Sequence, residues 1–145
     1  MTRTKRILAA IALALLVMTL PACGGMRDAA ARQKKTNDIK QFLLAYHNCL
    51  DYNAKPPANQ AEFTAHVAKS DPDAGAAVSR VLGQGYLVYW GTNPTKLAAG
   101  SSNTVLVYPG DAATNGGIVG LADGSTQRMT AAEFNAAAKP PAPTK

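Results

Sequence analysis

Ile39, Phe42, Leu43, Tyr46 and Leu50 recur at spacings of three and four, with Gln41 and Asn48 between them. At 100° per residue the five apolar positions share one helical stripe about 100° wide, and the polar pair falls on the opposite side. The spacing predicts a half-buried helix from near Asp28 to about Leu50 or Tyr52. In NAKPPANQAEF, Pro56-Pro57 forbids its continuation. Asn59 precedes Glu62 by three residues, the spacing of a capping box, so a short helix is expected from Gln60 to about Lys69 with Phe63 and Val67 inward. In SDPDAGAAVSRVLGQG, Asp71 suits a cap, Pro72 a first turn and Gly83 the stop of a third helix.

From Gly85 the period changes to two. GYLVYWG, residues 85–91, predicts a strand with Tyr86, Val88 and Trp90 on one face and Leu87 and Tyr89 on the other. NTVLVYP, residues 103–109, predicts a second, stopped by Pro109-Gly110, and the polar stretch Thr92 to Ser102 joins them as a loop. Ile118 to Ala122 predict a third strand. Asp123-Gly124 then reads as a two-residue hairpin loop with both residues at positive φ, the chain returning as Ser125 to Met129. Thr130 and Glu133 form a second capping box before Phe134. The stretch LADGSTQRMTAAEF looks like a catalytic signature, yet each of its polar residues has a structural task in this reading. The expected fold class is α+β: a long N-terminal helix packed on a small antiparallel sheet of about four strands, with short extra helices.

The first residues set the compartment. Arg3, Lys5 and Arg6 are followed by an uncharged run from Ile7 to Leu20, fourteen residues long. That is too short to cross a hydrocarbon core of about 30 Å comfortably, so residues 1–22 read as a signal peptide. Leu20-Pro21-Ala22-Cys23 resembles the lipobox of bacterial lipoproteins, which implies that Cys23 becomes the lipidated N-terminus. Gly24 stands where an aspartate would, by resemblance to known sorting rules, retain such a protein at the inner membrane. The expected location is therefore exported and lipid-anchored, at the outer membrane where the cell has one. Residues 23–35 are then linker or helix start, 36–138 one α+β domain and 139–145 a disordered Pro-rich tail.

Export changes the charge. The full chain has 15 basic and 9 acidic residues, net +6. The signal takes three basic residues and no acid, leaving 12 against 9, a net +3. So small a balance does not suggest nucleic acid as a partner, which takes a clustered basic face. Arg27, Arg32, Lys34 and Lys35 are the one cluster, either a solvated segment or one drawn to anionic headgroups. With Cys23 lipidated, Cys49 is left alone and no internal disulfide can form. The core of about 100 residues is one small domain able to bury roughly 60–65% of its unfolded surface.

Candidate chemistry is sparse. His47 and Cys49 lie about 160° apart around a helix and cannot converge on a substrate or metal. His66 has no acid or thiol at ligand spacing. No catalytic residue and no cofactor is expected, and the chain does not read as an enzyme. Tyr86, Tyr89, Trp90 and Tyr108 offer either a stacking platform for a glycan or peptide or ordinary core aromatics.

IKQFLLAYHNCLDYNAKPPA, followed much later by ADGSTQRMTAAEF, resembles the pilin-like exported proteins numerous in planctomycetes, many of them prepilin-derived and similar to type II secretion pseudopilins. The resemblance covers most of residues 36–137 and implies a long helix laid against an antiparallel sheet. A lipobox stands here where a prepilin has a glycine-phenylalanine cleavage site, and Ala113 stands where many relatives have a histidine. The resemblance carries over no catalytic residue. It does suggest a calcium site in GDAATNGG, residues 110–117, through Asp111, Asn115 and carbonyls, although calcium usually takes several carboxylates. The expected function is a membrane-anchored lipoprotein with a structural or protein-interaction role in the cell envelope, its partner an envelope protein. A glycan- or peptide-binding module using the sheet aromatics is the alternative.

Overall fold

The computed structural model describes residues 22–141, with side chains from residue 25 to 141. The expected signal peptide, all but Ala22, lies outside the described residues, as do the Cys23 side chain and residues 142–145. The chain divides into two compact units, one up to Lys34 and one from Lys35 onward. In the first, every described residue is helical, and residues 25–34 are all exposed. They are the opening of α1 (Ala22–Asn53), which begins earlier than the expected start near Asp28. Residues 29–35, AAARQKK, are alanine and long straight side chains, the best helix formers, so of the linker or helix start expected here the described residues take the helical form.

In the second unit, Ile39, Phe42, Leu43 and Tyr46 are fully buried, as the stripe requires, and Ala45 and Cys49 widen it. Ala54, in the left-handed region at φ 54°, ends the helix before Pro56. α2 (Gln60–Ser70) is capped by Asn59, whose side chain accepts the Glu62 N–H. The box is not reciprocal: Glu62 Oε2 accepts the N–H of Ala58 at 2.9 Å rather than that of Asn59. Lys55 at 3.2 Å draws the carboxylate to that side. Asp71 then serves two helices. Its N–H caps the end of α2 on Val67 O, and its side chain accepts the Ala74 N–H at the start of α3 (Pro72–Gly83). Arg80 ties α3 to α1 through a two-point pair with buried Asp38, Nε to Oδ2 at 3.0 Å and Nη2 to Oδ1 at 2.7 Å.

The sheet is an antiparallel meander in chain order, β1 (Tyr86–Val88), β2 (Val105–Pro109), β3 (Gly117–Leu121) and β4 (Thr126–Met129). The α+β architecture expected from the sequence is thus the one found. A shift of register between Val105 and Val107 marks a bulge in β2. It turns Leu106 and Val107 both toward the helices α1 to α3, while Val105 packs on the far face. That far face is covered too. Val119, Leu121 and Met129 pack there with Ala112 of a short helix α4 (Ala112–Asn115) and Phe134 of α5 (Ala131–Ala136). These two C-terminal elements cover the face that α1 to α3 leave.

Three local expectations also change. β1 ends at Val88, short of the expected Gly91, because Trp90 N–H turns back to Val88 O at 3.0 Å. The closing hairpin has three loop residues, not two: Gly124 N–H donates to Leu121 O at 3.1 Å and Leu121 N–H to Ser125 O at 2.9 Å. Only Gly124 has positive φ, and Asp123 serves the turn through its side chain, which accepts the Ser125 N–H. The tail expected to be disordered from residue 139 is tied down at its start. Lys139 Nζ caps Phe134 O at 2.7 Å and Ala137 O at 3.0 Å, and Ala138 O accepts the Val105 N–H. The second capping box, Thr130 with Glu133, is reciprocal as expected.

Candidate functional site

The four sheet aromatics do not form one platform, because β1 and the segment after it send them to different faces. Tyr86 is buried, its hydroxyl donating to Ile118 O at 3.1 Å, with the Lys35 ammonium 5.4 Å from its ring centre. Trp90 packs among Phe42, Tyr46 and Phe63, with ring centres at 6.3, 6.4 and 5.6 Å. Both serve the core. Tyr89, which packs against the helix-side core, stacks on Tyr108 at 5.1 Å, and Tyr108 continues to Phe134 at 5.1 Å on the face that α5 covers. Both tyrosines are half-buried. Burial, with the Tyr108 hydroxyl beside it, pushes the Tyr89 phenol up to about 12. Burial, with Asp111 nearby, does the same for Tyr86.

The loop after β1 is held rather than free. Tyr46 hydroxyl donates to Thr92 O at 3.0 Å, Thr92 Oγ1 to Tyr89 O at 2.6 Å, and Pro94 is buried in a short 3-10 turn. Burial raises the Tyr46 phenol far above its ordinary value.

Asp111 and Asn115 do meet, but as donor and acceptor: Asn115 Nδ2 gives its hydrogen to Asp111 Oδ2 at 2.9 Å. A calcium ion needs oxygens from both. The one-turn helix α4 holds the pair in this mutual bond, and among the described residues no group of three His, Cys, Asp or Glu side chains gathers as a metal site.

Cys49 is fully buried, and burial pushes its thiol up, the hydrogen bond from Asn53 opposing it. Asn53 Nδ2 lies 3.3 Å from Cys49 Sγ and 3.5 Å from His66 Nδ1, and the His66 ring meets that of Tyr52 at a tilt, with centres 5.3 Å apart. These partners of His66 come from the end of a different helix, and no local spacing signals them. A protonated, buried thiol is a poor nucleophile, so this chain of contacts fastens α2 to α1. His47 is half-buried with Nε2 enclosed and unpartnered. Ser125 hydrogen bonds hold the Asp123 carboxyl below its ordinary value, with a smaller pull from His47.

Among the described residues, shallow cavities of about 330 Å³ lie at two places. One lies between α2 and α3 against Val67, Pro72, Gly75 and Val78. The other lies beside β4, with Leu121 and Met129 as floor and Asn103, Gln127 and Glu133 at the rim. Glu133 is already committed to Thr130, whose N–H lies 2.7 Å from Oε2. Neither cavity assembles an acid, a base and a nucleophile. No protein-family model, curated protein or solved structure matches this chain.

Proposed function

We propose that this chain is a lipid-anchored protein of the bacterial cell envelope with a structural or protein-binding role, attached through Cys23 at the outer membrane. The observation that carries the reading is the opening of the sequence: three basic residues, an uncharged run, then Leu20-Pro21-Ala22-Cys23-Gly24-Gly25. Acyl chains on Cys23 would supply the membrane affinity, and the basic residues Arg27, Arg32, Lys34 and Lys35 would add attraction to anionic headgroups. The resemblance of the helix and closing hairpin to pilin-like exported proteins supports a structural rather than a chemical role.

Feeding an alkyne-tagged fatty acid to cells making the intact protein tests the anchor. Label on the native chain that vanishes in Cys23→Ala, with that variant leaving the membrane fraction, is the expected result. Equal labelling of both refutes lipidation at Cys23. Cross-linking in the native envelope tests the second half. One dominant envelope partner that depends on Cys23 is expected, and no partner in either form removes the protein-binding role.

A glycan- or peptide-binding use of the sheet is the second reading, favoured by the half-exposed Tyr89–Tyr108 stack. It predicts saturable changes in intrinsic fluorescence with oligosaccharides that Tyr108→Ala abolishes.

A further inference from the structure

The sheet has two outer strands, β1 and β4, and they are finished differently. β1 packs against α3, and the Val88 carbonyl is taken by Trp90 N–H. Among the described residues β4 packs against β3 and against α5, which follows it in the chain, and Gln127 and Arg128 are exposed.

The register says which backbone groups point outward. Leu121 and Ser125 are a hydrogen-bonded pair, and bonded pairs alternate along an antiparallel ladder. Val119 with Gln127 and Gly117 with Met129 are therefore bonded pairs. Thr126 and Arg128, opposite Gly120 and Ile118, turn their N–H and C=O away from β3 to the open edge.

An edge of this kind presents outward N–H and C=O groups as a template with which the extended backbone of another chain can pair. Two-fold closure sets identical strands antiparallel, and three registers then bring outward residues face to face. Arg128 against itself opposes like charges directly. Thr126 against itself pushes Arg128 past the end of the strand, opposite Gly124. The third sets Thr126 against the copy's Arg128, twice, with Gln127 against itself. It uses the whole strand, makes about four backbone hydrogen bonds, places no like charges directly opposite and lets two carboxamides meet on one face.

We propose that β4 is a self-association edge, through which two copies join antiparallel about Gln127 and continue one four-stranded sheet into the other. So short a contact belongs to the weak, transient class, and the proposal does not depend on the anchor at Cys23.

Disulfide capture tests it. The full-length chain carrying Cys23→Ala keeps only the buried Cys49 thiol. Single cysteines are placed at Thr126, Gln127 and Arg128, and at exposed Asn48 as a remote control. In the proposed register two copies of residue 127 are directly opposite in a non-bonded pair, whereas two copies of 126 or 128 are only diagonal neighbours. Gln127→Cys is expected to cross-link to itself on the order of tenfold faster than the other three, since a disulfide needs Cβ atoms about 4 Å apart. Arg128→Pro, which removes an outward N–H without touching the β3 ladder, is expected to abolish that preference. Circular dichroism and melting temperature keep folding failure apart from loss of pairing. Faster capture at Arg128→Cys, equal capture at all positions or none at Gln127→Cys overturns the proposal and leaves the edge to solvent or to a different chain.

Discussion

Leu43 of α1 rests directly on the backbone of Gly120 in β3. A β-carbon at Gly120 would lie 2.8 Å from Leu43 Cδ1, 3.1 Å from Ile39 Cγ2 and 2.5 Å from Val107 Cγ1. Gly120 does not have positive φ, so its glycine is a matter of space and not of backbone freedom. Side chains of the helix rest there on bare sheet backbone, and Leu43, Ile39 and Val107 are all fully buried in the core. Gly120→Ala is expected to destabilise the protein by about 1–3 kcal/mol, the usual cost of overpacking. A denaturant midpoint unchanged by Gly120→Ala would mean that α1 can lift off β3 freely.

The end of α1 holds a different kind of strain. Ala54 is the one non-glycine residue at positive φ among the described residues. An L-residue pays about 1–2 kcal/mol there that glycine avoids, partly offset by the greater unfolded freedom of glycine. Ala54→Gly is therefore expected to raise stability by up to about 1 kcal/mol, and Ala54→Val to lower it. Thermal melts of the two variants check the sign, and a loss in Ala54→Gly would contradict the left-handed cap.

Much of this architecture was legible in local patterns. The apolar spacing from Ile39 to Tyr46, the caps at Asn59, Asp71 and Thr130 and the position of the closing hairpin depend on residues within a few positions of one another. The aromatics were not legible, because alternation sorts Tyr86 and Trp90 from Tyr89 without saying what covers either face. The cover on the far face comes from α4 and α5. α4 is a single turn with no apolar period, hidden in a stretch that reads as a loop. The Asp111–Asn115 pair shows the same limit: their spacing brings them together, but does not say which of their side-chain atoms meet. The contacts of His66 with Asn53 and Tyr52, and of Arg80 with Asp38, join separate helices and leave no trace in spacing.

Two glutamates make the fold sensitive to acid. The Ala58 N–H, then Lys55, hold the Glu62 carboxyl below its ordinary 4.5, and the Thr130 N–H and hydroxyl do the same for Glu133. A depressed folded pKa contributes stability that is present above 4.5 and lost as pH falls through the lower folded value. Glu62→Gln with Glu133→Gln keeps an acceptor at each helix start but cannot titrate. The melting temperature of the native chain should fall more steeply below pH 4.5 than that of the double variant, and parallel curves would show that neither carboxylate matters to the acid limb.

The tyrosines set the alkaline limit. The Tyr86 and Tyr89 phenols are raised from 10.0 to about 12, chiefly by burial, and Tyr46 is raised as well. A raised folded pKa contributes stability that is complete below 10.0 and lost as pH climbs toward about 12. In that window the unfolded chain releases phenolic protons that the folded chain retains. The tyrosinate absorbance band should therefore show Tyr46, Tyr86 and Tyr89 ionising late, together with unfolding. Tyr86→Phe loses the hydrogen bond to Ile118 O and should be less stable at neutral pH, yet it should lose less further stability between pH 10 and 12 than the native chain. Equal losses over that window would place the Tyr86 hydroxyl in contact with water and remove it from the core.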